Sequence, residues 1–257
     1  MASKNNSVIR VVLALMLVLF INTGIMAAYD DTWDMLLKKY VFRGQKDGVV
    51  LNMVNYEWLK KDQQWSALLG ELQFFDIKQL KTHDEKLAFW INAYNIAAVK
   101  MIVDNYPIKS IKDKSKLLYQ VWDQDILNIG GKEYSLGYIE HKILRKMDEP
   151  KIHFAIVPAA VSCPDLRTEA YRPEVLEMQL NSQTRRFLYN PIKGSAVDWR
   201  QKKINISLIF KWFAEDFGNV REFLIQYLPA FKQYLENEEY ELVYMKYDWA
   251  LNERSRK

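Results

Sequence analysis

Cysteine is almost absent: Cys163 stands alone in 257 residues. No internal disulfide can form, so the thiol is kept either for packing or for reactivity. Histidine is scarce too, with three residues. Neither GxGxxG nor GxxxxGK[ST] occurs, which leaves nucleotide cofactors unsupported, and no cofactor of any kind is expected. The lack of GxSxG removes the serine-hydrolase elbow. Without HExxH or another recognised ligand spacing, a metal site is only an alternative, assembled loosely from His141, His153, Cys163 and an acid. A strong basic excess is missing as well: the formal charge is +4, and it falls to +2 without residues 1–28, whose only charges are Lys4 and Arg10. That balance excludes nucleic acid as a partner. No repeat, low-complexity run or dividing linker interrupts the chain.

What is present is apolar and aromatic. At 49% hydrophobic and 14% aromatic residues, the chain can bury a large core, and residues 29–257 are expected to form one domain. Residues 1–28 read as an export signal: Lys4 and Arg10 form the basic region, Val11 to Ile21 is an unbroken apolar run, and Gly24 to Ala28 supplies small residues. The run is short for a membrane span. Met26 or Ile25 falls where the cleavage site prefers a small residue, so an uncleaved anchor is the alternative and the one expected membrane contact. The expected location is the periplasm or cell envelope.

Hydrophobic spacing predicts helices over Asp30–Tyr40, Tyr56–Leu69, His83–Tyr106, Pro173–Tyr189, Ser207–Phe217 and Val220–Tyr234, the last interrupted at Pro229. The third is apolar nearly all round and should be buried, with Asn92 and Asn95 as polar groups needing partners. Gly130-Gly131 predicts a hairpin joining Val121–Ile129 to Lys132–Leu136. Ser135 should cap the next helix, where Glu140 and His141 diverge by about 100°. Val197–Ile206 reads as a second hairpin and Tyr240–Tyr247 as a strand. The expected fold is α+β, a single domain with a small, mostly antiparallel sheet packed against several helices.

The stretch KIHFAIVPAAVSCPDLR, Lys151 to Arg167, concentrates the chemistry, holding Cys163 and His153 together. Its apolar opening, Ile152 to Val157, reads as a strand, and Pro164 pushes Cys163 into an extended backbone. A free thiol with a pKa of about 8.5 is mostly protonated at neutral pH, and a nearby imidazolium would lower that value. Cys163 is therefore a candidate nucleophile, with His141 preferred over His153 as its base and Glu140 or another acid to orient the ring. Arg167 could clamp a substrate carboxylate or phosphate, or pair with Asp165 or Glu169.

Six separated motifs together resemble the uncharacterised family called domain of unknown function 547: FWINAYN, NYPIKSIKD, IEHKILR, the KIHFAIVPAAVSCPDLR stretch, IFKWFAEDFG and YDWALN. The resemblance spans roughly residues 30 to 252. Pro158 departs from relatives that often carry a cysteine nearby. By recurrence of motifs, the resemblance implies Asn92, Glu140, His141, His153, Cys163, Arg167, Asp248 and Asn252 as site residues. The expected function is a thiol-dependent hydrolase or acyltransferase acting on an amide or ester of a small molecule or peptide. Cys163 would be the nucleophile, His141 the base, Glu140 or Asp248 the orienter, and Arg167, Asn92 and Asn252 would contact substrate. The alternative from another class is a non-catalytic ligand- or protein-binding module.

Overall fold

The computed structural model describes residues 29–114 and 119–254; the expected export signal and part of the lysine-rich connector lie outside the described residues. Helix α1 (residues 29–40) buries Tyr29, Trp33, Leu36 and Leu37. It leads into an antiparallel hairpin of β1 (Val41–Lys46) and β2 (Val49–Val54). The turn between them, Asp47-Gly48, takes positive φ at both residues (49° and 83°), the conformation that suits a two-residue hairpin. Short α2 (Tyr56–Leu59) and α3 (Gln63–Gln73) follow, each capped by an Asx side chain, Asn55 and Asp62.

The core is built on α4 (His83–Asn105), started by a capping box between Thr82 and Glu85. Its apolar residues are buried on every side, each Leu, Ile or Val contributing about 1.5–3 kcal/mol. Asn92 and Asn95 are buried with them, and both are satisfied by backbone. Asn92 gives its Nδ2 to Tyr171 O and accepts Tyr171 N–H, while Asn95 does the same with Ala155 O and Val157 N–H, all at 2.8–3.0 Å.

After α5 (Tyr119–Asp123), β3 (Asp125–Ile129) and β4 (Lys132–Ser135) form the expected hairpin, though residues 119–123 are helical instead of extended. Gly130 is required there: its φ is +59°, and a Cβ would lie 2.7 Å from Phe75 O. Ser135 caps α6 (Leu136–Tyr138), but the helix does not run on regularly. It widens over Ile139–Ile143, where Leu144 N–H reaches back to Ile139 O, then tightens over Leu144–Lys146.

The strand expected at Ile152–Val157 does not form; α7 (Ile152–Ala155) stands there. A short apolar run does not by itself distinguish a strand from a buried helical turn. Here the turn closes on Glu149 O, Pro150 O and Lys151 O, and Asn95 occupies the backbone groups of Ala155 and Val157 that a neighbouring strand would have needed. Beyond it, α8 (Leu176–Leu188) leads to the antiparallel pair β5 (Ser195–Asp198) and β6 (Lys203–Ile206). Helices α9 (Ile209–Trp212), α10 (Ala214–Phe217), α11 (Val220–Tyr227) and α12 (Lys232–Leu235) come next, with Pro229 between the last two. Strand β7 (Glu241–Tyr244) then joins β6 in parallel.

The architecture is α+β, with the strands of the described residues divided among three small sheets instead of gathered in one. Apolar packing divides as well. One cluster surrounds α4, and a second, containing Phe154, Phe187, Phe210, Phe217 and Phe223, fills the C-terminal part. Tyr247 packs against both.

Candidate functional site

A cleft of about 630 Å³ opens beside this junction, within the range of small-molecule sites of roughly 300–1,000 Å³. Aromatic rings form much of its wall: Trp122 from α5, Trp212 from the end of α9, Phe213 from the link to α10, and Tyr247 and Trp249 from the segment after β7. Ionisable groups enter from the helical turns. Glu140 and His141 come from the widened turn, His153 from α7, Asp123 from the end of α5 and Lys112 from the connector.

The two neighbours on the widened turn part as expected. Glu140 lines the cleft yet is only 4% exposed, and it accepts a 3.2 Å hydrogen bond from the Tyr94 hydroxyl. Burial pushes its carboxyl up to about 7, so it holds a proton through much of the neutral range. His141 is more exposed, with Nδ1 3.4 Å from Arg145 Nη1. Partial burial and the Arg145 charge lower its pKa.

His153 is buried, stacked on Phe213 at 4.1 Å, and its Nε2 lies 2.7 Å from Asp216 Oδ2. Burial lowers its pKa to about 4, so near pH 7 the ring is neutral. Because the partner is a carboxylate, the single ring proton belongs on Nε2, leaving Nδ1 as a base. That Nδ1 is buried with no hydrogen-bond partner among the described residues. Asp216 also receives two bonds from Arg145, Nε at 2.5 Å and Nη2 at 2.7 Å. Burial pulls its pKa upward, but the bonds from Arg145 and His153 hold it below the usual carboxylate value.

The expected Cys163–histidine pair is not what these residues form. Cys163 is fully buried, and its sulfur takes Ala160 N–H at 3.3 Å and meets the Tyr247 hydroxyl at 3.1 Å. Burial pushes the thiol up to about 11, in spite of those two bonds. Tyr247 lines the cleft; Cys163 does not. Asp248, the second candidate orienter, accepts Ala250 N–H in a local turn. The carboxylate that orients a histidine is Asp216, and the histidine is His153.

The candidate substrate contacts are engaged elsewhere. Arg167 donates to Gln179 O, to Ser182 Oγ and to Glu169, the last being one of the acids the sequence offered. Asn92 holds the backbone of Tyr171, and Asn252 accepts the Tyr56 hydroxyl at 2.7 Å. Among the described residues no group of three or more His, Cys, Asp or Glu could hold a metal ion, so the ligand set His141, His153 and Cys163 does not assemble. Nor is any helix among them long and apolar enough to cross a membrane.

Arg145, Asp216, Tyr94 and the aromatic wall are the residues that sequence reasoning passed over. Each except Trp122 stood inside a quoted motif, Arg145 closing IEHKILR and Asp216 inside IFKWFAEDFG.

Residues 77–188 match the family model described as Protein of unknown function, DUF547. This segment is similar to the DUF547 family over those residues. No curated protein and no solved structure matches the chain. The DUF547 match contains Glu140, His141, Arg145, His153 and Cys163, whereas Asp216, Trp212, Tyr247 and Trp249 come from the chain beyond it. The cleft is thus shared between the DUF547 segment and the C-terminal elements packed on it.

Proposed function

We propose that the cleft is the active site of a hydrolase working by general acid and base, with Glu140 as the acid and His153 as the base. The supporting observation is that one cleft holds a buried carboxyl protonated up to about pH 7 and a neutral imidazole fixed by Asp216. Environments that push two titratable groups in opposite directions assign the two roles. In the reaction, Glu140 gives its proton to the leaving atom as the scissile bond breaks. Water supplies hydroxide to the other fragment, and its remaining proton passes to His153 Nδ1. Asp216 then faces an imidazolium, and its own charge is balanced by Arg145. Exchange with solvent restores both groups.

A thiol mechanism would require Cys163 to ionise and reach substrate, and its burial and raised pKa oppose both. The basic and apolar pattern of residues 1–28 supports placing the reaction in the periplasm or cell envelope.

The test is hydrolysis of chromogenic p-nitrophenyl esters, p-nitroanilides and p-nitrophenyl glycosides by the wild-type protein, Glu140→Gln and Cys163→Ala. Turnover of at least one class that falls 100-fold or more in Glu140→Gln and persists in Cys163→Ala is expected. Turnover lost in Cys163→Ala but kept in Glu140→Gln would return the thiol to the centre. No turnover of any class would leave a binding module.

A further inference from the structure

Resting on the hydrolase assignment of Glu140 and His153, we propose that the substrate is an uncharged saccharide stacked on the aromatic wall of the cleft. Trp212, Tyr247 and Trp249 form one continuous surface, with ring centroids 4.8 Å apart for Trp212 and Tyr247, 4.6 Å for Tyr247 and Trp249, and 5.8 Å for Trp212 and Trp249. Trp122 meets Trp249 edge-on at 90°. Trp33 and Trp65 are sealed in the core, at 1% and 4% exposure. Trp212 is instead 45% exposed on the cleft wall. A broad apolar face held open to water inside a concavity calls for a ligand with a flat apolar face of its own.

The polar lining narrows the class. Lys112 and Asp123 bring one charge of each sign, His141 has a lowered pKa, and Glu140 stays protonated up to about pH 7. Such a lining has no excess charge to recognise an anion or a cation. Lys112 Nζ also lies 3.7 Å from the centre of the Trp249 ring, so its charge already rests on an aromatic face and the ligand's stacking surface is chiefly Trp212. Donors and acceptors are nevertheless present: His141, Asp123 and His153, whose Nδ1 has no hydrogen-bond partner among the described residues. A simple aromatic compound would fill the apolar wall and leave those groups unmatched. A sugar ring has both parts, with C–H faces for the indole and a rim of hydroxyls for the polar groups.

The bond cleaved would be the glycosidic C–O bond. Glu140 protonates the bridging oxygen as that bond breaks, giving one product its hydroxyl. Water adds through oxygen to the anomeric carbon and its proton goes to His153, giving the other product its hemiacetal hydroxyl.

The experiment uses the full chain with cellotetraose, chitotetraose and maltotetraose as probes and indole-3-acetate as the aromatic control, followed by calorimetry and tryptophan fluorescence. At least one tetrasaccharide should bind, with affinity falling ten-fold or more in Trp212→Ala. Trp58→Ala, which removes an indole that is 61% exposed and outside the cleft, should leave binding unchanged. Binding of none of the three sugars, or of the aromatic control in their place, overturns the saccharide assignment. The two proposals can fail separately. Glu140-dependent cleavage of an ester or anilide without sugar binding sinks the saccharide alone, and sugar binding without Glu140-dependent cleavage of any substrate sinks the hydrolase alone.

Discussion

Asp216 accepts the Nε2–H of His153 at 2.7 Å, across 63 residues of sequence. The carboxylate does not line the cleft itself, so its influence on any reaction there passes through the tautomer it selects.

Replacing Asp216 with Asn should free that choice, because a side-chain amide can either donate to or accept from Nε2. Long-range ¹H–¹⁵N spectra of the wild type should show His153 protonated at Nε2 alone. Asp216→Asn should show a mixture of tautomers and a 100-fold or greater loss of turnover. A single unchanged tautomer in the variant would mean that packing against Phe213, and not Asp216, sets the ring.

Glu140 and His153 should also appear in the pH dependence of stability, with opposite signs. The Glu140 pKa is raised from about 4.5 to about 7, so the folded protein holds a proton that the unfolded chain releases, and stability is lost as pH rises through that interval. His153 is lowered from about 6.5 to about 4, so the unfolded chain binds the proton and stability is lost as pH falls through that interval. Each amounts to about 3 kcal/mol. Between about 4.5 and 6.5 the two slopes cancel. Glu140→Gln removes one of them, so its stability should gain on the wild type by about 3 kcal/mol between pH 4.5 and 7, measured by urea unfolding. A constant difference would show that Glu140 titrates normally.

Cys163 should resist iodoacetamide in the folded protein near neutral pH, because it is buried and ionises only near 11. Cys163→Ala should cost about 1–2 kcal/mol, from lost packing and a hydroxyl of Tyr247 left without its sulfur partner. Rapid alkylation at pH 7 without unfolding would contradict the buried thiol.

Asn95→Ala should be more damaging than its size suggests. It strands two buried backbone groups, Ala155 O and Val157 N–H, at about 1–3 kcal/mol each. Hydrogen exchange should become faster at Val157 before it does so at the centre of α4. Equal acceleration along the whole helix would point to global loss of stability alone.

Local patterns made much of this fold legible. The periodicity of α4, the Gly130-Gly131 turn, the Ser135 cap and the break at Pro229 depend on neighbours within a few residues, and all were read correctly from the sequence. Ile152–Val157 was misread because its composition suits either a strand or a buried turn, and Asn95, 62 residues before Val157, decides between them. Glu140, His141 and His153 were identified by residue type and do line one cleft, but their chemistry depends on burial and on Asp216, which local pattern does not encode. Cys163 drew notice for its rarity, a property of composition that says nothing about access to solvent.

Asn92 and Asn95 act together as two pegs on one rod. They stand three residues apart on α4, about 4.5 Å along its axis, and tie down the chain at Ala155–Val157 and again at Tyr171. The loop between, with Cys163 inside it, is therefore strung at a span measured by the helix. Inserting one residue between the pegs would turn one by about 100° relative to the other. The loop could then keep only one tie, either the one beside His153 or the one beside Tyr171.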